Sequence, residues 1–510
     1  MKINFKKVIS LFLVVFSLFS CQNEEKNVVE NLSQYVEPRI GTAHCRWFHF
    51  APGALPFGMA KPAPSTNGSL GNKSGWEATG YDYRDNTIEG FPCLHEFQIG
   101  GISLMPTVGE LLTVPGLPSD TIKTGYRSHF SHENEVVKPG YYSVLLDDYH
   151  IQTELTATER VAFQRFTFPQ GQKKHLLFNI GNRQGESGSV NDAYIVYNQD
   201  GTVEGWVITE PEYVKKYQPG AVVPLYFFAV LDKEPLNYGA YNGNVQQQGA
   251  RESKGVGAGM YFSFASENQE VVTAKIGLSY TSVENARINL QQEASDLDFD
   301  YVKERAQATW EDYLGRIRVE TECREDKVKF YTGLYHALLG RGLASDVNGA
   351  YPRNDGSVGQ LPMKEGTPLY NIYNTDAAWG AQWNLSQLWI LAYPEYMSEY
   401  ISSHLQTYKD AGWLADGLAN NRYVSGVGTN LLSTIIAGAY ECGIRDFDTK
   451  TAYEACLKNE LEGKNRPFGA GKVNTTEFVK YGYVPHQDEG EGYHETFMFS
   501  ASHTLEYSYS

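Results

Sequence analysis

Aromatic and polar side chains are concentrated in residues 41–110, a stretch rich in Gly and Pro that lacks a sustained helical or strand period. Long ordered loops of this kind usually serve a site rather than only join two elements. Flat apolar faces beside directed hydrogen-bonding groups suit a sugar ring, which is apolar on its C–H face and polar around its rim. The alternative is a structural loop cluster that fills a domain junction. The aromatic members are Trp47, Phe48, Phe50, Trp76, Tyr81 and Tyr83, and the polar members are His44, Arg46, Glu77, Asp82, His95 and Glu96.

Two later segments carry polar groups that could join the same site. Residues 373–379 include Asp376 and Trp379, and residues 418–422 include Asn420, Asn421 and Arg422. Carboxylate, amide and guanidinium groups offer the acceptors and donors that sugar hydroxyls need. A hydrogen-bonded loop between helices explains the second segment equally well, so both interpretations stay open.

A third segment, residues 483–495, is strongly acidic. Glu489, Glu491 and Glu495 lie there together with two His residues, a composition that could supply a general acid or base. A hexose-processing enzyme that uses Glu489 is therefore one hypothesis. A solvated acidic loop is the alternative.

Several phrases of the opening block are specific enough to indicate a family. GTA…APGALPFGM, GYDYRD…IEGF and SLMPTVGEL resemble the N-terminal block of glycoside hydrolase family 92, the calcium-dependent exo-acting α-mannosidases, and the resemblance runs from about Tyr35 to Ser510. It implies that His95 takes the position of the second His in the family's GFSHTH segment. Trp379 matches the Trp of a Trp-Asp pair that holds mannose in the family, but Gly380 follows it and Asp376 lies one helical turn earlier. The resulting substrate-binding candidates are Trp76, His95, Glu96, Asp376, Trp379, Asn420, Asn421 and Arg422.

The resemblance also implies an activity, namely inverting, Ca²⁺-assisted hydrolysis that removes terminal sugars from glycans. Such enzymes need one carboxylic acid for the leaving group and a second carboxylate to activate water. The family's segments for the acid, the base and the calcium ligands do not occur before Ser510. We therefore expect the catalytic residues and the calcium ligands beyond Ser510, no metal site within this chain, and an N-terminal fragment that is inactive by itself. The alternative function is a non-catalytic carbohydrate-binding surface lipoprotein on the same scaffold.

The N-terminus reads as a targeting signal. A basic start is followed by an apolar run over residues 8–19, which is too short to span a bilayer comfortably, and then by Ser20 and Cys21. This pattern predicts a bacterial lipoprotein in which Cys21 is lipidated and residues 22–32 form a tether, so that the protein is anchored in the cell envelope. An ordinary signal peptide is the alternative.

The charge balance limits the partners of the chain. Its 510 residues carry a net charge of −17, and no cluster of Lys and Arg is visible. Because nucleic-acid binding depends on such clusters, we expect no nucleic-acid partner. The expected partners are a glycan or oligosaccharide substrate and, through the lipid, a membrane.

The pattern of the chain divides it into a β part and an α part. Short β-type runs separated by Gly, Pro, Asn and Asp continue to about Ser282 and predict an antiparallel β-sandwich. From Val283 the apolar period becomes helical, with Ser295 as the expected N-cap of a linking helix and residues 377–391 as one later helix. The resemblance implies that these helices form an incomplete (α/α)6 barrel. The predicted divisions are 1–20 signal peptide, 21–34 tether, 35–282 sandwich, 283–320 linker and 321–510 truncated barrel domain.

Overall fold

The structure is a computed structural model. It describes residues 30–43, 49–70, 80–96, 98–120, 123–375, 377–425, 429–486 and 500–510. The predicted residues Cys21, Trp76, Asp376, Glu489, Glu491 and Glu495 lie outside these ranges, so the roles assigned to them stay predictions. Within the ranges, no helix combines the length and the apolar character needed to cross a membrane.

The first half of the chain forms two antiparallel sheets. The larger sheet consists, in spatial order, of Glu252–Lys254, Ser189–Tyr197, Val203–Glu210, Val223–Leu231, Glu270–Ser279, Val161–Phe168, Ile151–Ala157, Tyr141–Leu146 and Val136–Lys138. The smaller sheet consists of Val245–Gln248, Asn237–Asn242, Ala258–Phe264, Lys174–Asn179, Ile99–Val108 and Phe91–Glu96. A short pair, Thr87–Ile88 with Ser128–His129, lies outside both sheets.

Aromatic side chains join the two sheets. Phe178 of the smaller sheet stacks on Phe227 of the larger one with ring centroids 6.5 Å apart, and Phe168 meets Phe264 across the same interface at 6.4 Å. Inward-facing rings of this size supply much of the area that a sheet-on-sheet core buries. The β-rich character predicted for the first half is thereby confirmed.

Residues 41–110 show no sustained strand period in the sequence, but the end of this block contains two strands. Phe91–Glu96 and Ile99–Val108 are paired strands whose residues are all buried. A strand that is covered on both faces shows no apolar–polar alternation, and for that reason the pattern did not reveal these two strands.

The second half is helical, as predicted. After the short helix Glu212–Tyr217 within the β part, the helices are Val283–Ala294, Phe299–Gly315, Arg324–Leu339, Ala378–Ala381, Leu385–Ala392, Pro394–Ala411, Leu432–Glu441, Thr449–Leu461, Thr475–Tyr481 and Ser500–Tyr509. Small antiparallel pairs lie between them: Ala350–Pro352 with Val358–Gln360, Met363–Lys364 with Thr367–Pro368, and Gly417–Ala419 with Arg422–Val424. Closure of these helices into an (α/α)6 ring stays a prediction.

Two helix predictions were wrong in detail. The expected helix over residues 377–391 is divided into Ala378–Ala381 and Leu385–Ala392, because Asn384 between them leaves the helical region with φ −158° and ψ −29°. The linking helix is capped by Asp298, whose side chain accepts from the Tyr301 amide, and not by Ser295. Ser295 instead ends the preceding helix, Val283–Ala294.

A continuous hydrophobic core joins the two halves. The fully buried Trp310 donates its indole N–H to the carbonyl of Ala54 at 2.7 Å, and its ring lies 4.6 Å from that of Tyr335. Arg160, on the turn between two strands, donates to the Ser345 carbonyl at 2.7 Å and pairs with Glu293 at 2.8 Å. These contacts fix the sheets against the helices, so loops from both halves meet at one junction.

Candidate functional site

A cavity of about 210 Å³ lies at this junction. One side is formed by the opening block and the end of the strand Phe91–Glu96, and the other by the helix Arg324–Leu339 with the loops and helices that follow it. The wall of the cavity includes His49, Phe50, His95, Glu96, His336, Arg341, Asn374, Thr375, Trp389 and Tyr396. Concave sites with aromatic walls and a few polar groups are typical of small-molecule binding.

His95 and Glu96 reach the cavity because they end an edge strand of the smaller sheet. Their pairing partners are Gly100 and Ile99, and the turn between the strands passes through Gln98 in the left-handed region, at φ 71°. Both residues are nearly inaccessible to solvent. The tight turn thus presents two adjacent titratable side chains at the boundary between sheet and helices.

Glu96 is held in a buried ion pair. Its Oε1 accepts from Lys61 Nζ at 2.7 Å and its Oε2 accepts from Asn374 Nδ2 at 2.9 Å, with both charged side chains only 1% exposed. Burial raises the pKa of Glu96, and the charges of Lys61 and Arg341 and the Asn374 hydrogen bond oppose that rise. A carboxylate whose two oxygens are both engaged suits a structural role better than proton transfer.

Asn374 extends this contact into the helical half. The Oδ1 of Asn374 accepts a hydrogen bond from the backbone N–H of Asn420 at 2.7 Å. The backbone N–H of Asn374 donates to the Gly342 carbonyl at 3.0 Å. Asn420 and Asn421 have φ values of 50° and 55°, which make the two-residue turn between Gly417–Ala419 and Arg422–Val424. Asn is among the residues that tolerate this conformation in a tight hairpin. Sheet, loop and hairpin are therefore joined by one chain of hydrogen bonds.

His95 has one ring nitrogen hydrogen-bonded and the other without a partner among the described residues. Its Nδ1 lies 3.4 Å from the Lys61 carbonyl, and its ring stacks on Phe50 with centroids 5.2 Å apart. Its Nε2 is buried and makes no hydrogen bond within the described part of the chain. Burial lowers the pKa of His95 to about 3, with the Lys61 charge acting in the same direction and the Lys61 carbonyl against it. The imidazole is therefore neutral near neutral pH.

Other predicted residues lie away from the cavity wall. Trp379 is half-buried on the short helix Ala378–Ala381. Asn421 donates to the Pro352 carbonyl at 2.8 Å and accepts from Thr407 at 2.7 Å. Arg422 donates to the Asn354 carbonyl. Their described contacts are those of a hydrogen-bonded loop, whereas Asn420 meets the site only through its backbone bond to Asn374.

The sequence alone did not identify several residues that line the cavity. Asn374 and Thr375 belong to the segment singled out for Asp376, and the Thr375 hydroxyl is buried without a hydrogen bond among the described residues. Trp389 and Tyr396 resemble ordinary core residues in a helical pattern, and only the tertiary fold brings them to the wall. His336, expected to be an ordinary helix histidine, faces His49 with ring centroids 4.5 Å apart.

The described residues do not form a metal site. No group of three or more His, Cys, Asp or Glu side chains in these ranges is arranged to hold a metal ion. Calcium prefers six to eight oxygen ligands, several of them usually carboxylates. The one carboxylate on the described cavity wall, Glu96, is already paired with Lys61. The described part of the chain therefore does not fit the calcium ion that the resemblance implies.

Comparison with known proteins identifies relatives of the whole chain. A curated protein of the fungus Arthroderma benhamiae, described as an uncharacterized secreted glycosidase, is 26% identical in an alignment 514 residues long that covers 94% of this chain and 58% of the relative. A solved family GH92 α-mannosidase from Bacteroides thetaiotaomicron, in complex with mannoimidazole, is 25% identical with a TM-score of 0.79, over 94% of this chain and 60% of that one. A family GH92 inverting mannosidase from the same bacterium is 24% identical with a TM-score of 0.76, over 90% and 59% of the two chains.

The chain thus spans about 60% of the length of these relatives. Two family models account for nearly all of it beyond the first residues. Residues 35–279 match the glycosyl hydrolase family 92 N-terminal domain, and residues 285–510 match the glycosyl hydrolase family 92 catalytic domain. Because both domain models match, the comparisons do not support the expectation that this chain is an inactive fragment. Fold, motifs and both matches agree, and the chain belongs to glycoside hydrolase family 92.

Proposed function

We propose that the protein is a glycosidase of α-mannosidase type that removes terminal sugars from glycans. Family membership supports hydrolysis of a glycosidic bond, and the mannosidase neighbour with bound mannoimidazole supports mannose as the sugar. The glycan substrate follows from the same comparison.

The junction cavity is the observation that carries this proposal. Phe50, Trp389 and Tyr396 supply flat apolar walls, and His95 and Thr375 supply polar atoms without a described partner. Its volume of about 210 Å³ is below the ~300–1,000 Å³ of pockets for drug-sized ligands. These properties suit one terminal sugar ring, with its apolar face against the aromatic rings and its hydroxyls toward the polar atoms.

The inverting course and the calcium requirement are proposed from the family resemblance. An inverting glycosidase needs two carboxyl groups ~6.5–9.5 Å apart with a water molecule between them. Among the described cavity residues, only Glu96 carries a carboxyl group, and it is engaged on both oxygens. The described cavity residues therefore do not supply the two carboxyl groups that inversion needs.

An activity assay with 4-nitrophenyl α-mannoside and an α-mannosyl disaccharide tests the proposal directly. We expect mannose to be released first as the β-anomer, detected by proton NMR, and release to fall after EDTA and return with added CaCl₂. If the 510-residue chain releases mannose by itself, the expectation of an inactive fragment is wrong. Retained α-configuration, or full activity in EDTA, would contradict the inverting, calcium-assisted course.

A non-catalytic carbohydrate-binding protein is the second candidate, and the state of Glu96 favours it. A site whose described carboxylate serves as half of a buried ion pair can hold a sugar without cleaving its bond. Titration calorimetry with methyl α-mannoside separates the two functions. Binding without turnover in every glycan tested would favour this candidate, whereas turnover would exclude it.

Lipid anchoring through Cys21 in a bacterial cell envelope is also proposed. The secreted character given for the fungal relative agrees with export but does not bear on the anchor. Expression in a bacterial host with a radiolabelled or alkyne-tagged fatty acid tests it. We expect label on the wild-type chain and none on Cys21→Ser, with the variant released from the membrane fraction. Equal labelling of both would contradict the proposal.

A further inference from the structure

The hydrogen-bond environment of His95 defines what its free nitrogen can bind. The Lys61 backbone carbonyl, 3.4 Å from Nδ1, can only accept a hydrogen bond. A proton on Nδ1 makes that contact favourable, whereas a lone pair on Nδ1 would face the carbonyl lone pairs. The neutral ring therefore carries its proton on Nδ1, which leaves Nε2 as an acceptor. This Nε2 is buried and makes no hydrogen bond within the described part of the chain, and the residue His95 is among those that line the cavity.

The surroundings of His95 disfavour the doubly protonated ring. His95 is 2% exposed. The buried ammonium group of Lys61, which belongs to the opening block, is paired with Glu96, the residue next to His95. Burial and this positive charge lower the pKa of His95 to about 3. The other titratable or charged groups on the described cavity wall are Arg341, His49, His336, Tyr396 and Tyr400, none of which offers His95 a carboxylate. Nε2 therefore stays an acceptor across the physiological pH range.

An unpartnered buried acceptor selects for a ligand that can donate a hydrogen bond. An anionic ligand that lacks an O–H or N–H group has no donor for Nε2, and a cationic ligand would add positive charge beside Arg341 and Lys61. A neutral hydroxyl group meets both requirements. A group that accepts but cannot donate, such as fluorine or a methyl ether, would leave two acceptors in contact, which is costly in a buried site.

We propose that His95 is a specificity-determining residue whose Nε2 accepts a hydrogen bond from one hydroxyl group of a neutral sugar bound in the junction cavity. Phe50 holds the ring from its face, and the Lys61 carbonyl fixes its tautomer. The inference rests on the proposed function for the identity of the sugar, but the tautomer and the need for a donor follow from the contacts of His95 alone.

Histidine NMR tests the tautomer without any ligand. In ¹⁵N-labelled protein we expect His95, assigned by comparison with His95→Gln, to show a protonated Nδ1 and an unprotonated Nε2 from pH 5 to pH 8. An Nε2–H tautomer, or titration of His95 within this range, would overturn the proposal.

Sugar analogues test the recognition step. The probes are methyl α-mannoside and its monodeoxy and monofluoro derivatives at each hydroxyl, with binding measured by titration calorimetry. We expect one position at which deoxy and fluoro analogues both bind about tenfold more weakly to the wild type. In His95→Phe, which keeps an aromatic ring against Phe50, that difference should vanish. His95→Gln, which can offer an amide oxygen near the Nε2 position, should restore part of it.

Failure of this inference differs from failure of the proposed function. If the sugar binds but every analogue responds equally in wild type and His95→Phe, His95 does not recognise a hydroxyl and the inference is wrong. No binding of the methyl glycoside to the wild type would overturn it as well. If His95-dependent selectivity is present but no glycosidic bond is cleaved, the inference stands and the hydrolase proposal fails. Circular dichroism confirms that both variants are folded, and selectivity is compared within each variant.

Discussion

At the scale of single residues, the junction depends on a charge pair that water does not reach. Lys61 and Glu96 lie on different segments of the β-rich half, and Glu96 also accepts from Asn374 of the helical half. Removing one partner of such a pair leaves an uncompensated buried charge, which costs more than the pair itself contributes.

Replacing Lys61 with Met should therefore reduce the free energy of unfolding by about 3–5 kcal/mol. Urea unfolding followed by circular dichroism measures this loss. The matched control is Lys329→Met, because Lys329 pairs with Asp326 at 3.2 Å with side chains 75% and 58% exposed, and such exposed pairs contribute at most about 1 kcal/mol. Equal losses in the two variants would mean that the Lys61 pair is not buried in solution.

A second residue, His404, should make the protein sensitive to acid. It is fully buried in the helix Pro394–Ala411, and neither ring nitrogen has a hydrogen-bond partner among the described residues. Burial lowers the pKa of His404 to about 3, whereas an unfolded chain would titrate near the ordinary value of 6.5. Between these values the unfolded state binds the proton and the folded state does not, so the stability from neutral His404 falls as pH decreases from 6.5.

His404→Leu should remove this contribution to the pH dependence. The expected result is a smaller loss of stability between pH 7 and pH 4.5, a difference in slope of up to about 1.4 kcal/mol per pH unit. Thermal unfolding at half-unit pH intervals measures it. Val358→Ala is the control, because Val358 is 51% exposed and carries no titratable group. Parallel curves for wild type and His404→Leu would contradict the assignment.

At the scale of elements, the loop after the helix Arg324–Leu339 passes unusually close to the ion pair. Gly342 has φ +80°, and a Cβ built on it would lie 2.2 Å from the Gly58 carbonyl oxygen, 2.6 Å from Lys61 Nζ and 2.9 Å from Glu96 Oε1. Both the backbone conformation and the space therefore require glycine here.

Gly342→Ala should destabilise the protein more than its backbone angle alone explains. Gly366→Ala is a matched control, because Gly366 has φ +83° and nothing within 4 Å of the built Cβ. We expect about 1–2 kcal/mol for Gly366→Ala from the left-handed conformation alone, and at least 2 kcal/mol more for Gly342→Ala. Denaturant unfolding of both variants tests this, and similar midpoints would show that the loop moves away without cost.

At the scale of the whole molecule, the sheets and the helices share one core. Trp310 lies on the helix Phe299–Gly315, contacts Tyr335 of the next helix and donates to Ala54 of the opening block. A residue in this position transmits a loss of packing to both halves, so the two halves should unfold together.

Trp310→Ala should lower the stability by about 3–5 kcal/mol and shift the sheet and helix signals in one transition. Trp310→Phe keeps most of the ring and should cost less, mainly the hydrogen bond to Ala54, about 1–2 kcal/mol. Tyr301→Ala on the same helix is the control, since Tyr301 is 45% exposed and its truncation should change the stability little. Circular dichroism and calorimetry follow the transition, and separate transitions for sheet and helix would contradict a shared core.

The sequence by itself determined the β-rich first half, the helical second half and the family. Alternating strands such as Ile151–Ala157 and apolar stripes such as Val302, Ala306 and Trp310 are local patterns, and local periodicity is enough to recognise them. Local periodicity failed to reveal the structure where burial on both faces removed the alternation, as in Ile99–Val108, and where Asn384 interrupted an apolar run.

The tertiary structure alone decided which candidates meet. His95 and Glu96 face Asn374 and Trp389, nearly 300 residues away, because the core orients the edge strand toward the helices. Asn421 and Arg422 also carry donors suited to sugar hydroxyls, yet their side chains hydrogen-bond to Pro352, Thr407 and Asn354 instead of reaching the cavity wall. Whether a polar side chain is free to bind depends on its neighbours in space, which residue type and spacing do not specify.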